Sequence, residues 1–460
     1  MKVNDFILEK INNNHYFYSI STGAISKISA KIYMDLENSF TDAISEDTKN
    51  LMDYIYNSPP IKKKHSKTDS GNYLGNLVFI SSEFCNLKCK YCFVNKGNYH
   101  QTKPQSMSFE CYKEAVEYVL NKHTGIKNIC FFGGEPLINF KEIQKFIKYY
   151  RQLVKINGLI SSNIGVITNG TLVNEKIGKF LEENNINVTL SIDGPKSIND
   201  SGRVSDVFSS VYDKVIFNFK NFYFSKKLLA VESTITNYHI KNYNQNAVAK
   251  WIKDLEQINF DFIAFLPAVT EDKDTKISDI NILKKIYSDI VDYYFELLSN
   301  ENSIKSIEIG VLGMIHGIIG KSYIGNCAIA NSLLVTPRGD LYPCQAFYES
   351  KTYQIGNLKN DKDVIIYEEL ANLDRLNVPK CQNCIAKYLC GTWCVGMNNA
   401  INGKMESTIN LSCIATQTTM ERTLKNLFKI IDNKEKYNKF IKNIQYLIKL
   451  QDNAKLVSKK

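Results

Sequence analysis

Ten of the twelve cysteines fall into two groups, and this distribution restricts the possible folds more than any other feature of the sequence. The first group is Cys85, Cys89 and Cys92. The second group is Cys327, Cys344, Cys381, Cys384, Cys390, Cys394 and Cys413. No cysteine lies between Cys130 and Cys327. In a reducing compartment clustered cysteines bind metal more often than they form disulfides, so we expect two metal-binding regions separated by a metal-free scaffold.

Length and composition predict a soluble protein of two or three domains. The chain has 460 residues, of which 44% are hydrophobic and 23% charged. Its N-terminus, MKVNDFILEKINNN, lacks the apolar core of a signal peptide, and the longest apolar run (309–320) is too short to cross a bilayer. We therefore expect a cytoplasmic protein that does not bind membranes. His316, inside that run, is expected to be a core histidine with satisfied hydrogen bonds, or one that hydrogen-bonds to a metal ligand, and not a metal ligand itself.

The net charge of +10 does not indicate a nucleic-acid-binding protein. Only five of the 57 basic residues are arginine, the residue best suited to bidentate phosphate and guanine contacts. The lysines are spread along the chain. They predict a solvated surface with a mild attraction for an acidic peptide.

Residues 1–74 are predicted to be a separate small module with its linker. Two β-rich runs (16–20 and 24–28) are joined at Thr22-Gly23 and followed by a helical pattern, SAKIYMDLENSF. Residues 58–72 have the prolines, lysines and small polar residues of a linker.

The next region alternates β-rich runs with helical patterns, which predicts βα units and a parallel sheet. The β-rich runs are residues 77–80, 129–132, 164–167, 188–192, 229–234 and 262–266. Ser108 is a candidate N-cap for the first helix. Six such units form either an open barrel or a doubly wound sheet.

Polar or glycine-rich segments follow the first four of these runs. They are CNLKCKYC, GGEP, TNG and DGP. Ligands of parallel α/β folds bind at the carboxyl ends of the strands, so these segments are expected to meet at one active site.

The first cysteine group has the spacing Cys85-x3-Cys89-x2-Cys92, with no fourth cysteine nearby. Structural zinc sites normally have four protein ligands. Three thiolates suit a [4Fe–4S] cluster with one iron free for a small molecule. Tyr91 would place an aromatic ring beside that cluster.

This loop resembles that of the radical S-adenosylmethionine (SAM) enzymes, in which Cys-x3-Cys-x-aromatic-Cys follows the first strand of a partial (β/α)6, TIM-like barrel. GGEP, TNG and SIDGP stand in the matching order over about 190 residues. The resemblance implies that the free iron binds SAM, whose cleavage yields a 5′-deoxyadenosyl radical.

The same resemblance implies roles for the SAM-binding residues. Gly133 and Gly134 would let the backbone approach the methionine moiety, and Glu135 would accept from its ammonium. The methionine carboxylate would bind Ser191 and Arg203, and the ribose would bind Asn169. The alternative is that Ser191 and Asn169 are turn residues and Arg203 lies on the surface.

The second cysteine group resembles the SPASM domain, a C-terminal extension of radical SAM enzymes with two auxiliary iron–sulfur clusters. The resemblance implies auxiliary cluster I on Cys327, Cys344 and Cys394, and auxiliary cluster II on Cys381, Cys384, Cys390 and Cys413. Three [4Fe–4S] clusters are thus expected. Residues 321–326 lack a cysteine that full members of the family have, so we infer an open iron in cluster I. A non-cysteine ligand or water at that iron is the alternative.

The remaining cysteines are predicted to be structural, since Cys130 lies inside an apolar run and Cys111 lies early in a helix. Trp393, next to Cys394, could pack over a cluster. The expected domains are therefore the barrel (75–300), a bridging segment (301–326), the SPASM domain (327–420) and a helical tail (421–460).

Two groups of SPASM enzymes are candidates. Anaerobic sulfatase maturases have an aspartate after the cysteine matching Cys344, whereas this chain has Gln345, which cannot act as a carboxylate base. Those enzymes also lack a counterpart of residues 1–74. The stretches LLVTPRGDLYPCQAFYESKTYQIGNL and FFGGEPLINF instead resemble the maturases of cysteine-rich peptides of the SCIFF type.

That second resemblance implies that residues 1–74 are a winged-helix-like module, which binds the leader of a cysteine-rich precursor peptide. It also implies thioether cross-linking, with a flavodoxin or ferredoxin as electron donor. Other peptide chemistry, such as C–C cross-linking or formylglycine formation, is the alternative. A non-enzymatic, zinc-stapled peptide-binding protein is disfavoured by the three-cysteine loop together with GGEP.

Overall fold

The computed structural model describes residues 5–38, 44–61, 72–223, 228–302, 304–324, 327–348, 350–360 and 366–456. Along the chain, a small antiparallel module comes first. A ten-stranded sheet covered by helices follows, and two long helices end the described part of the chain.

The N-terminal module is a three-stranded antiparallel sheet with two helices. Its elements are β1 (Phe6–Ile11), β2 (Asn14–Ser19), β3 (Ile25–Ile28), α1 (Ala30–Glu37) and α2 (Glu46–Asn57). The two predicted strands and the helix after them are confirmed, and β1 is an additional strand. Asn12 and Asn13 join β1 to β2 and both have positive φ, as a type I′ hairpin turn requires. Residues 62–71 of the predicted linker lie outside the described residues.

The central sheet contains all six predicted parallel strands. Its strands are β4 (Tyr73–Ser82), β5 (Gly125–Gly133), β6 (Asn163–Thr168), β7 (Asn187–Ser191), β8 (Leu229–Ile235), β9 (Phe262–Pro267), β10 (Ile307–Glu308), β11 (Ser332–Val335), β12 (Asp340–Tyr342) and β13 (Gly356–Asn357). The spatial order is β10-β9-β8-β7-β6-β5-β4-β11-β12-β13. From β4 to β10 the strands follow in chain order, whereas a doubly wound sheet reverses direction at a switch point. The sheet is therefore a partial barrel.

Helices cover the outer face of this sheet and continue beyond it. They are α3 (Phe109–Lys122), α4 (Phe140–Ile156), α5 (Glu175–Glu183), α6 (Lys196–Gly202), α7 (Val211–Phe222), α8 (Asn237–Lys241), α9 (Ala247–Leu255), α10 (Ile280–Asn300), α11 (Ile309–Ile319), α12 (Ile366–Asn372), α13 (Pro379–Gln382), α14 (Val395–Asn402), α15 (Asn410–Ile431) and α16 (Lys434–Leu456). Short 3-10 turns lie at Pro136–Asn139, Glu256–Ile258, Ala328–Asn331, Gln345–Phe347, Lys351–Tyr353 and Arg375–Asn377. Ser108 caps α3 as predicted, accepting a hydrogen bond from the Cys111 amide.

The C-terminal region adds strands to the barrel sheet. β11 pairs in parallel with β4, and β12 and β13 continue the sheet in antiparallel fashion. α15 begins at Asn410, before the predicted start of the tail, so Cys413 lies in its first turn.

The prediction for His316 was wrong, because its side chain is exposed on α11. None of the helices in the described ranges is long and apolar enough to cross a membrane.

The N-terminal module packs against α15. The Tyr16 ring stacks on Phe428 with centroids 4.9 Å apart, and its hydroxyl donates to the Asp432 carboxylate at 2.7 Å. Lys27 of β3 forms an ion pair with the same carboxylate at 3.0 Å. These contacts place the module beside α15, the helix whose first turn carries Cys413.

Candidate active site

A cavity of about 660 Å³ opens at the carboxyl ends of the barrel strands. Strands β4 to β9 and β11 contribute to its lining, together with segments that follow β4, β5, β6, β7 and β9 and with parts of the C-terminal region. Among the lining residues are Cys85, Cys89, Tyr91, Cys92, Gly133, Gly134, Asn169, Ser191, Arg203, Cys327, Cys344 and Cys394. One cavity thus brings together most of the residues that the sequence singles out for SAM and two clusters.

The loop between β4 and α3 holds the first three cysteines near one another. Burial raises the pKa of Cys85 to about 12 and that of Cys89 to about 11, and the neighbouring thiols add to the rise. Buried thiolates without a compensating cation are unfavourable, and a bound metal deprotonates a coordinating thiol. This donor set therefore fits an iron–sulfur cluster, because three thiols share one loop and face one cavity.

Gly133 and Gly134 allow close contact between the ends of β4 and β5. Gly133 has φ of +140°, and a Cβ there would lie 2.4 Å from the carbonyl oxygen of Ser82. A Cβ on Gly134 would lie 2.4 Å from the carbonyl oxygen of Phe84. Any larger residue would displace the start of the cysteine loop. The two glycines also line the cavity, where a ligand can approach their backbone.

Glu135 is buried and does not line the cavity. Its carboxylate accepts hydrogen bonds from the Thr168 hydroxyl at 2.7 Å, the Asn169 amide at 2.8 Å and the Leu137 amide at 3.0 Å. Burial raises its pKa to about 7, although these hydrogen bonds lower it. Through these hydrogen bonds the Glu135 carboxylate connects the turn after β5 to the turn after β6.

Asn169 supports the cysteine loop. Its side-chain amide donates to Oδ1 of Asn86 at 2.9 Å and to Sγ of Cys85 at 3.8 Å. Its side-chain oxygen accepts from the amide and the hydroxyl of Thr171, at 3.0 and 2.6 Å. Asn86 and Thr171 carry no motif signal of their own, and sequence reasoning did not identify them.

Arg203 lies in the cavity wall and not on the surface, because its exposed fraction is 7%. Its Nη2 pairs with Oδ1 of Asp193 at 2.9 Å, and Tyr91 donates its hydroxyl to the other oxygen of that carboxylate. Nε of Arg203 is buried and has no hydrogen-bond partner among the described residues. An unsatisfied guanidinium donor beside the cavity fits an anionic ligand group such as the methionine carboxylate of SAM.

Cys327, Cys344 and Cys394 face the same cavity from its other side. Burial raises the pKa of Cys344 to about 12, with further contributions from Cys394 and Cys327, so these three thiols also lie close together. Gln345, at the position where sulfatase maturases have aspartate, lines the cavity as well. Its side chain is an amide, whereas the resemblance to sulfatase maturases implies an aspartate at this position.

Cys381, Cys384, Cys390 and Cys413 line a separate cavity of about 30 Å³. Burial raises the pKa of Cys381 to about 11, and the other three thiols raise it further. The Gln417 amide donates to Sγ of Cys384 at 3.3 Å. Trp393 lines this cavity and donates its indole N–H to the carbonyl of Ser407 at 2.9 Å. The four thiols named together by the SPASM resemblance thus converge.

Within the described ranges, no three His, Cys, Asp or Glu side chains converge on a single point as the ligands of one metal ion do. In a [4Fe–4S] cubane each thiolate binds a different iron, so its thiols stand further apart than those of a single ion.

Two of the remaining predictions concern Cys111 and Cys130. Cys111 donates weakly to the carbonyl of Thr336 at 3.6 Å, as a structural thiol can. Cys130 is half-buried and lines the cavity, so the prediction that it is a core residue was wrong, and burial raises its pKa to about 12. Glu232 and Thr234 on β8 also line the cavity and were missed, because neither belongs to a recognisable motif.

The family model of the radical SAM superfamily matches residues 79–220 of this chain. The cysteine-type anaerobic sulfatase-maturating enzyme of Clostridium perfringens is 28% identical over 385 residues, covering 78% of this chain and 99% of that enzyme. The radical SAM cyclopropyl synthase TigE of Paramaledivibacter caminithermalis is 23% identical over 405 residues, covering 80% of this chain and 78% of that protein.

Solved structures agree with the fold. Native anSMEcpe with bound AdoMet superposes with a TM-score of 0.63 at 23% identity, covering 78% of this chain and 99% of that one. Streptococcus suis SuiB bound to its precursor peptide SuiA has a TM-score of 0.53 at 14% identity, covering 90% of this chain and 99% of that one. Residues 79–220, which match the family model, form most of the partial barrel and supply the first three cysteines of the cavity at its mouth, so this chain contains a radical SAM domain, a domain whose chemistry uses SAM and a [4Fe–4S] cluster.

Proposed function

We propose that this enzyme is a peptide maturase that installs thioether cross-links, from cysteine sulfur to carbon, in a cysteine-rich ribosomal precursor peptide. One observation carries the proposal: the thiols of Cys85, Cys89 and Cys92 share a cavity with those of Cys327, Cys344 and Cys394. A substrate in that cavity would lie within reach of both sets of thiols.

The first thiol set would hold the SAM-binding cluster. Gly133 and Gly134 would lie against the methionine moiety, and Ser191 with the unpaired Nε of Arg203 would bind its carboxylate. Tyr91 orients Arg203 through their shared partner Asp193. When bound, the cluster and SAM supply one-electron chemistry that removes a hydrogen atom from the substrate.

Thioether formation breaks one S–H and one C–H bond, forms one S–C bond, and releases two protons and two electrons. One hydrogen atom leaves through the SAM chemistry, and the second electron needs an acceptor. A [4Fe–4S] cluster on Cys327, Cys344 and Cys394 would supply this acceptor, and with only three cysteine ligands it would keep an iron open for the substrate thiolate. The third set, Cys381, Cys384, Cys390 and Cys413, would hold a fully ligated cluster.

The N-terminal module would bind the leader of the precursor. Among the described strands β3 pairs only with β2, so its other edge is available to an extended peptide. The net charge of +10 favours an acidic leader. SuiB, whose solved structure holds its precursor peptide, has a similar fold over 90% of this chain.

Formylglycine formation is the second candidate, because a sulfatase-maturating enzyme covers 78% of this chain at 28% identity. That reaction exchanges the sulfur of a cysteine for oxygen and removes two further hydrogens, which leaves an aldehyde. Gln345 disfavours formylglycine formation, because its amide lines the cavity at the position where the resemblance implies an aspartate. C–C cross-linking is a further alternative, which the mass of the product distinguishes.

The decisive experiment combines metal analysis with product mass. Protein reconstituted without oxygen should contain about twelve irons and twelve sulfides per chain, because three [4Fe–4S] clusters are expected. With SAM, a reducing flavodoxin or ferredoxin and a cysteine-rich precursor, each cross-link should remove two hydrogens and one reactive thiol.

The control is the triple variant C327A/C344A/C394A, which should retain about eight irons. It should still cleave SAM and form no cross-link. Loss of two hydrogens with all thiols still titratable would instead indicate a C–C bond, and exchange of one sulfur for oxygen together with loss of two hydrogens would indicate formylglycine. A wild-type content of about four irons would contradict the role of auxiliary cluster I.

A further inference from the structure

The small cavity that the four cysteines of auxiliary cluster II share is lined by three cations. They are Arg375, Lys380 and Lys387, and none of the described residues that line this cavity is a carboxylate. The larger cavity at the barrel mouth, by contrast, includes the carboxylate of Glu232. The fixed charge of the lining around these four thiols is therefore positive.

Arg375 is the most deeply buried of the three cations, with an exposed fraction of 1%. Its Nε donates to the carbonyl oxygen of Lys387 at 2.9 Å, and its Nη2 donates to the carbonyl oxygen of Ile324. The central carbon of the guanidinium lies 4.7 Å from the centroid of the Tyr323 ring. These contacts hold the guanidinium in one orientation beside the thiols, where little water screens its charge.

The charges of Arg375 and Lys380 act on the sulfur atoms. Burial and the neighbouring thiols raise the pKa of Cys381, whereas Arg375 lowers it. Burial likewise raises the pKa of Cys413, whereas Lys380 lowers it. Lys387 forms an ion pair with Asp5 at 3.7 Å, which compensates its charge locally. Arg375 and Lys380 are therefore the cations that most favour negative charge at this site.

We propose that Arg375, assisted by Lys380, raises the reduction potential of the iron–sulfur cluster that these four cysteines would bind; this inference rests on the proposed function. Reduction adds one electron, and hence one negative charge, to such a cluster. A fixed cation in a buried site stabilises the reduced form more than the oxidised form. Net charge and hydrogen bonds to the sulfurs set such potentials. The Gln417 amide, which donates to Sγ of Cys384 at 3.3 Å, acts in the same direction.

The test is a potentiometric titration of the reconstituted enzyme without oxygen, with dithionite as reductant and electron paramagnetic resonance of the reduced clusters as readout. The first cluster is identified by the change of its signal when SAM is added. Cluster I is identified by the loss of its signal in C327A/C344A/C394A, and the remaining signal belongs to cluster II. Arg375→Met should keep about twelve irons. Its cluster II midpoint should fall by about 59 mV or more, which corresponds to a tenfold change in the reduction equilibrium.

Two further variants separate charge from packing. Arg375→Lys keeps the positive charge, so its midpoint should lie closer to that of wild type than the midpoint of Arg375→Met does. Arg422→Met is the matched control, because Arg422 lies on α15, the helix that carries Cys413, and pairs with Asp292. Arg422 does not line the cavity, so its loss should leave the midpoint of cluster II unchanged.

Lys380→Met tests the same inference without changing a buried side chain, since Lys380 is exposed. It should lower the midpoint by a smaller amount, because solvent and salt screen its charge. An unchanged midpoint in Arg375→Met would overturn the inference and leave the proposed function standing. If Arg375→Met does not hold its iron, an unchanged midpoint in Lys380→Met overturns the inference instead.

A midpoint in Arg375→Lys as low as that in Arg375→Met would also overturn the inference, because packing and not charge would be the cause. Wild-type enzyme with about eight irons and no cluster II signal would contradict the third cluster and, with it, the proposed function.

Discussion

Nη2 of Arg203 lies 2.9 Å from Oδ1 of Asp193, and both side chains are more than nine-tenths buried. Asp193 also accepts from the Tyr91 hydroxyl and, at 3.1 Å, from the backbone amide of Thr234. One carboxylate therefore connects the cysteine loop, the strand β8 and the guanidinium that faces the cavity. These hydrogen bonds and the ion pair hold the Arg203 guanidinium in its position without a bound ligand.

Asp193→Asn should destabilise the protein and weaken SAM binding. The substitution leaves the buried guanidinium of Arg203 without its counter-charge, which costs about 3–5 kcal/mol in buried ion pairs. Urea denaturation would measure the stability, and equilibrium dialysis the SAM affinity. The control is Asp206→Asn, which breaks the exposed pair between Asp206 and Lys88 and should change neither quantity appreciably. Equal effects of the two substitutions would contradict the role of Asp193.

Gly97→Ala should disrupt the first cluster selectively. Gly97 has φ of +89°, and a Cβ there would lie 2.5 Å from Cβ of Cys85 and 2.9 Å from Cα of Gly134. The cysteine loop must shift to accept it, so the reconstituted protein should lose about four of its irons. Iron analysis and the spectrum of the reduced cluster would measure this loss.

Gly158→Ala is the matched control for that substitution. Gly158 also has positive φ, +61°, but a Cβ there would contact nothing within 4 Å. The control carries only the backbone strain of about 1–2 kcal/mol and should keep its full iron content. Loss of iron in both variants would show that steric contact with Cys85 is not the cause.

Glu135→Gln should change how stability depends on pH. Burial raises the pKa of Glu135 to about 7 from its ordinary value of 4.5. Between these values the folded chain holds a proton that the unfolded chain has lost. Stability contributed by this group is therefore complete below pH 4.5 and falls as the pH rises towards 7, by on the order of 3 kcal/mol.

The measurement is the free energy of unfolding of wild type and variant from pH 4 to 8, and the difference between them should change across that window. Glu308→Gln is the control. Glu308 is also buried, and burial raises its pKa to about 7 as it does for Glu135. Glu308 does not line the cavity. It should show a similar pH effect and leave SAM affinity unchanged. Parallel pH profiles for wild type and Glu135→Gln would refute the assignment.

Arg338→Met should destabilise the packing of the C-terminal strands against the barrel. Nη1 of Arg338 lies 2.5 Å from Oε1 of Glu83, a fully buried carboxylate that also accepts from the Gln105 amide and the Tyr348 hydroxyl. Removing the cation leaves that carboxylate unpaired, at a cost of about 3–5 kcal/mol. Adding Glu83→Gln should restore much of the lost stability, which a double-mutant cycle would measure. A double variant as unstable as the sum of the single variants would contradict the pairing.

Features that depend on neighbours along the chain can be predicted from the amino-acid sequence alone. Strands and helices follow from local periodicity, so all six parallel strands are found where the pattern predicts them. The spacing of Cys85, Cys89 and Cys92 places three thiols on one loop whatever the rest of the chain does. Parallel strands share a carboxyl edge, and GGEP and TNG therefore meet that loop.

Features that depend on long-range packing are visible in the folded chain and not in the sequence. The parallel pairing of β11 with β4 brings Cys344 to the cavity of the first cysteine loop, although about 250 residues separate them. His316 is exposed because an apolar run does not specify which side of its helix meets solvent. Glu232 faces the cavity because β8 lies beside β7 in register, and Asn169 is unavailable because residues from two loops occupy its amide. Such contacts depend on the packing of the whole sheet, and no local sequence pattern predicts them.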